Sequence, residues 1–108
     1  MSTNLIRGNI NRMMLVQASY DPASVAANTT ADNSTTITVP GARVGDLVIA
    51  FKPTTEAGLA VVDARVSAAN TVQVVFGNFT GGGIDEGAET WTFLIIRPDV
   101  ATLPGDAL

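Results

Sequence analysis

Apolar and polar positions alternate most cleanly from Ala64 to Phe76, ARVSAANTVQVVF, where Ala, Val or Phe recurs at every second residue on both sides of a short polar break. A period of two is the period of a half-buried strand. The break has the length of a tight turn, so the stretch predicts a β-hairpin. Placing Val62, Ala64 and Val66 on the core face with Val72, Val74 and Phe76 sets the register. Val66 then lies opposite Val72, Ala64 opposite Val74 and Val62 opposite Phe76. The closing pair is Ser67 and Thr71 around Ala68-Ala69-Asn70, a three-residue loop that needs one left-handed residue. Asn70 is the non-glycine residue best able to supply it. A slip of one residue would send the valines to opposite faces, which makes the register firm. Asp63, Arg65, Gln73 and Val75 form the other face.

The same theme of strand, turn and strand extends along the chain. Met13 to Ala18 predicts a first strand, stopped by Tyr20-Asp21-Pro22, and a short strand is expected at about 24–29. Thr35 to Val39 alternates with Ile37 and Val39 inward and ends at Pro40-Gly41, a strong turn signal. Leu47 to Phe51 is apolar on both faces, which suits a central strand or an edge strand covered by a neighbouring subunit. Gly58 to Val66 is the hairpin's first strand. Thr90 to Arg97 is the last, with Trp91, Phe93 and Ile95 on one face and Thr90, Thr92, Leu94 and Ile96 on the other. Turn signals every 8–12 residues predict an all-β, antiparallel β-sandwich of jelly-roll type with seven or eight short strands. An N-terminal arm with the first strand spans 1–20, the sandwich 21–97 and a C-terminal arm 98–108.

Composition narrows the chemistry. The chain has 108 residues, one domain's worth, and can bury roughly 60–70% of its unfolded surface. It contains neither cysteine nor histidine. That removes disulfides, thiolate chemistry, the commonest metal ligands and every histidine-based triad. The net charge is −4, and it is unevenly placed. Residues 1–20 carry Arg7 and Arg12 and no acid, whereas 21–108 carry four bases against ten acids, a net of −6. An acidic body without a basic patch argues against nucleic-acid binding. No stretch reaches transmembrane length and no signal peptide is evident, so synthesis in a cytoplasm is expected.

Candidate chemistry is sparse. Gly81-Gly82-Gly83 lacks the Lys and Ser/Thr of a phosphate loop and is followed by Ile84-Asp85-Glu86, so a flexible strand connection is the better reading. Asp85, Glu86 and Glu89 form an acidic loop that offers oxygen ligands to a hard cation such as calcium, or a carboxylate pair to a glycosidase. Their spacing matches no EF-hand, and so short a chain has little material for a cleft. A solvated acidic loop is preferred, and neither enzyme activity nor a cofactor is expected. Asn28, Asn33 and Asn78 each begin an Asn-x-Thr/Ser triplet, read here as turn and strand chemistry. The doubly apolar strands at 47–51 and 93–96 exceed what one core face requires and point to a homo-oligomer. Leu5, Ile6, Arg7, Arg12, Met13, Leu94, Ile96 and Leu103 are the candidate partner contacts, on the arms and the outer apolar faces.

Three segments carry a family resemblance: RVGDLVIAFKP at 43–53, GLAVVDARVSAANTVQVVFGNFTGGGID at 58–85 and ETWTFLIIR at 89–97. They resemble small virion proteins of tailed bacteriophages, of the capsid decoration (cement) or head-fibre type. Family members commonly have proline after the loop acid, where this chain has Glu86. The resemblance implies a non-enzymatic structural protein, often a homotrimer, that binds the major capsid protein on the outer surface of the virion. It implies no membrane and no nucleic-acid partner. A fibre, spike or tail component is the first alternative and a carbohydrate-binding β-sandwich the second.

Overall fold

A computed structural model describes residues 9–32 and 36–99. Seven antiparallel strands follow in chain order: β1 (Ile10–Tyr20), β2 (Thr29–Asp32), β3 (Ile37–Thr38), β4 (Leu47–Phe51), β5 (Leu59–Ala68), β6 (Thr71–Asn78) and β7 (Glu89–Pro98). There is no helix among the described residues. The sheet order is β1-β7-β4-β5-β6-β2, and β3 pairs β6 further along the same edge. β2 and β3 thus share one position, so the sheet is six strands wide. It curls into a half-barrel that brings β1 towards β3. The described pairing is one continuous sheet and does not itself divide into the two sheets of a sandwich.

Alternation decides which face is sealed. Trp91, Phe93 and Ile95 of β7 point inward and are buried, with Val48 of β4, Ala64 and Val66 of β5, and Val72, Val74 and Phe76 of β6. Ile37, Val39 and Tyr20 close the far side. Trp91 stands at the centre, edge-on to Tyr20 at 5.2 Å and to Phe76 at 5.9 Å, and stacked on Phe93 at 6.3 Å between ring centroids. Such pairs add about 1 kcal/mol each beyond the area they bury. Burial raises the Tyr20 hydroxyl pKa to about 12.

The hairpin register holds at Val66–Val72 and Ala64–Val74 and then departs from expectation in two places. Phe76 pairs with Val61, not Val62, because a bulge between Val61 and Asp63 inserts one extra residue into β5. Val62 is turned out to the surface and Val61 packs on the core in its place. A second bulge makes Ala68–Thr71 the closing pair in place of Ser67–Thr71. Asn70 adopts the left-handed conformation, with φ of 60°.

Other boundaries also shift. β1 begins at Ile10, so Arg12 belongs to the strand. The strand expected at 24–29 is instead Thr29–Asp32, preceded by a single bridge between Val25 and Ile84. Thr35, the expected start of the next strand, lies outside the described residues. β4 takes the central position, between β7 and β5.

Two turns are locked together at one end of the sheet. Val39 to Ala42 has Pro40 and Gly41 at its centre, with φ of 93° at the glycine and Ala42 N donating to Val39 O at 3.1 Å. This is type II geometry, which favours proline and then glycine. The hairpin tip docks on it. Asn70 N donates to Ala42 O at 2.8 Å, Val39 N to Asn70 O at 2.8 Å and Gly41 N to Asn70 Oδ1 at 2.7 Å.

Asn70→Ala loses both the tolerance for positive φ and the side-chain acceptor, and is expected to cost about 2 kcal/mol. Asn70→Gly keeps the backbone conformation and should cost about 1 kcal/mol. Urea denaturation of the two variants checks this order. Equal losses would show that the left-handed backbone contributes nothing.

Candidate functional site

The inward alternation fixes what the opposite face of the sheet presents. On β1, β7 and β4 the outward residues align in rows across the strands: Met13–Ile96–Leu47, Leu15–Leu94–Ile49 and Gln17–Thr92–Phe51. The first two rows are wholly apolar. Leu15 is 69% exposed, Leu47 56%, Ile49 and Phe51 49% each and Met13 44%. Leu94 and Ile96 lie between these neighbours and are half-buried. No charged side chain stands in the three rows.

The face has a polar border. Gln17 Nε2 donates to Thr92 Oγ1 at 3.4 Å on one side. On the other, beyond β4, Arg65 of β5 pairs opposite Gln73 of β6, with its Nη2 donating to Gln73 Oε1 at 3.1 Å. Asp63 is the next outward residue on β5. An uncharged apolar centre inside a polar rim is the anatomy of a protein–protein interface. A monomer gains nothing by exposing five large apolar side chains side by side.

Among the sequence-derived contact candidates, Met13, Leu94 and Ile96 fall together on this face. Arg12 does not; it lies opposite Arg97 and lines a small cavity with Met14, Gly41, Ala42 and Ile95. Leu5, Ile6, Arg7 and Leu103 lie outside the described residues. Leu15, Leu47, Ile49 and Phe51 complete the face; none was among the candidate contacts, although the strand at 47–51 was expected to carry buried surface on both sides. The signal for the last three was present, since Leu47 to Phe51 is apolar at every position. Leu15 sits within MMLV, where no alternation marks an outward side.

The acidic loop is neutralised from within. Lys52 Nζ donates to Glu89 Oε1 at 2.8 Å and to Thr54 O and Oγ1 at 3.1 and 2.9 Å. Glu86 Oε1 lies 3.0 Å from the same nitrogen as an ion-pair partner. Burial disfavours the Lys52 charge, but the bonds and charges of Glu89 and Glu86 outweigh it and raise its pKa. The Lys52 and Thr54 bonds hold Glu89 below the usual carboxylate range. An ammonium therefore occupies the place among these oxygens that a hard cation would need. Among the described residues no group of three or more His, Cys, Asp or Glu is arranged to hold a metal ion.

The glycine loop is not the loose connection expected of it. Asn78 is buried, and its Nδ2 donates to Val25 O at 3.0 Å and Gly82 O at 2.9 Å. Its Oδ1 accepts from Thr80 N at 2.9 Å and Thr80 Oγ1 at 2.7 Å. All four hydrogen-bonding positions of the amide are used, and the loop is pinned to the strand beside it.

Asp46 is the most firmly held carboxylate. It closes the Arg43–Asp46 turn, in which Gly45 has φ of 102° and Asp46 N donates to Arg43 O at 3.0 Å. Arg97 grips it with two bonds, Nε to Oδ1 at 3.0 Å and Nη2 to Oδ2 at 2.9 Å, and Arg43 N adds a third at 3.0 Å. Arg97 Nη2 also reaches Gly41 O at 2.7 Å. The clamp ties the turn before β4 to the end of β7, and so aligns the two central strands of the apolar face. The chain matches no protein-family model, no curated protein and no solved structure.

The Arg97 bonds hold the Asp46 pKa below its ordinary value, with smaller help from Arg43 and against the opposing effect of burial. A depressed folded-state pKa stabilises above the unfolded value and is lost as pH falls through the folded one. Stability is therefore expected to decline below about pH 4, where unfolded aspartate takes up its proton. Asp46→Asn should lower stability at pH 7 and flatten that acid limb in melts between pH 2 and 7. An unchanged acid slope would remove Asp46 as its source.

Proposed function

We propose that this chain is a structural virion protein, a decoration or cement protein that binds the outer surface of a bacteriophage capsid and stabilises the shell. The observation that carries the reading is the uncharged apolar face of β1, β7 and β4, left open by a core that is already sealed, which a lone monomer has no use for and a subunit of a larger assembly does. An apolar face inside a polar rim suits a protein whose work is contact. The resemblance of residues 43–97 to small tailed-phage virion proteins supplies the kind of particle. On this reading the chain is a homotrimer with the major capsid protein as partner, contacts neither nucleic acid nor membrane, and carries out no catalysis. The finer fold expectation, a jelly-roll sandwich, belongs to the same proposal and is favoured by the approach of β1 to β3 across the core.

The mechanism follows from linkage. A protein that binds only the assembled, expanded lattice stabilises that state by its binding free energy. At a hundredfold excess over the dissociation constant the gain is about 2.7 kcal/mol per site. Many sites per shell make the total large. An acidic body also suits an exterior position, because the packaged DNA and this protein would repel one another.

Purified particles encoded by the same genome are expected to contain the chain in fixed proportion to the major capsid protein. Deleting its gene should lower the temperature at which they release DNA, and adding back the purified protein should restore it. Particles that lack the chain, or keep full heat resistance without it, would refute the reading. Labelling on the tail in place of the shell would favour a fibre or spike component.

A further inference from the structure

We infer that the outer face of β1, β7 and β4 joins copies of this chain to one another, patch against patch. This face then makes the copy–copy contact, and attachment to any larger particle falls to other surfaces.

The complement of an uncharged apolar patch is another uncharged apolar patch, since a charge placed against it would lose its hydration and gain no partner. Among the described residues one surface of that kind and extent is present, and it is this face. Of the other exposed large apolar side chains, Val44 stands apart in a turn, whereas Val62 and Phe79 both lie over Gly77, and Val62 lines one opening with Ile49, so that these two extend the face and do not form a separate one. The surface that matches the face is therefore the same face on a second copy. Association of this type is self-complementary by construction.

Area supports the same occupant. The face offers on the order of 600 Å² of exposed apolar side chain, at the top of the roughly 300–600 Å² of the largest patch on a monomer, and two copies face to face would bury about 1,200 Å², the lower end of a standard interface. The polar rim brings the total to what an interface needs. The chain's own ends are poorer candidates. The described residues stop at Asn9 and Asp99, which are joined by Asp99 N donating to Asn9 O at 2.6 Å. Residues 1–8 carry Met1, Leu5 and Ile6 and residues 100–108 carry Val100, Leu103 and Leu108, so neither segment alone matches two apolar rows and Phe51. The charges that would oppose association are also out of the way. The charged side chains of the described residues lie outside the three rows, where salt screens them over about 8 Å.

Patch-to-patch contact is compatible with a two-fold pair and with three copies whose faces converge on one axis. The second is the arrangement that the proposed homotrimer requires, but the inference stands on the face alone. Its test therefore needs no virion, and its outcome is separate from that of the particle experiment.

Sedimentation of the purified chain from about 1 to 100 µM is expected to show an oligomer. Ile49→Asp and Leu94→Asp should each weaken association at least about 100-fold, because each would bury an unpaired charge. Both positions face outward, so far-UV and near-UV circular dichroism, the latter reporting on Trp91, should match the wild type. Val44→Asp, at an exposed apolar position away from the face, should leave association unchanged. A wild-type chain that stays monomeric at 100 µM, or an oligomer that survives both aspartates, overturns the inference.

Discussion

The structure depends on sealing one face of a single sheet with the sheet's own curvature. No helix among the described residues covers it, so the strands must bend around their own side chains. Cross-strand pairing shows how the bend is filled. Ala18 lies opposite Trp91 and Ala50 opposite Phe93, which places a small residue beside each large ring. Large and small side chains that alternate across facing positions interlock without voids. Tyr20 and Phe76 then reach Trp91 from the ends of β1 and β6, strands far apart in the sheet order. A ring at Ala18 or Ala50 would force the strands apart, and a smaller residue at Trp91 would leave the curl unfilled.

This arrangement separates two kinds of apolar residue that a sequence does not distinguish. The even-numbered positions of β1 and β4 and the odd-numbered positions of β7 serve the curl. Leu15, Ile49 and Leu94 stand on the reverse of the same strands and contribute nothing to it. On β5 and β6 the reverse face is mixed, with Asp63, Arg65 and Gln73 beside the exposed Val62. Uninterrupted apolar rows on the reverse face are thus a local property of three adjacent strands and are not general to the sheet. Localisation of this kind is what a contact surface requires.

Much of this was legible because β-structure writes itself in a short period. The pairing of Val66 with Val72, the inward set of β7 and the left-handed Asn70 all follow from alternation and turn chemistry. The errors arose where alternation carries no information. Val61 and Val62 are both valines, so the bulge that exchanges their roles leaves no trace in the apolar pattern. Val25 forms only a single bridge, and its partner Ile84 is distant in sequence. Lys52 and the acids it neutralises are likewise far apart along the chain, and nothing local signals their meeting. Of the apolar face, Met13, Leu94 and Ile96 could be named from sequence. The placement of β4 beside β7, which adds Leu47, Ile49 and Phe51, is a fact of topology.

The polar locks explain why such a face can persist on a small protein. An exposed apolar surface is hazardous chiefly when strands can slip or edges can open. Here the register of β4 against β7 is held by the Asp46–Arg97 clamp, and the hairpin of β5 and β6 is held by Asn70 against the Pro40–Gly41 turn. At the opposite end Asn78 anchors the glycine loop to the backbone near Val25. The bonds at Asp46 and Asn78 are half-buried or buried, where water does not easily replace them. The face is therefore presented on strands of fixed register. A partner meets a preformed surface and spares the ordering cost that a mobile one would impose.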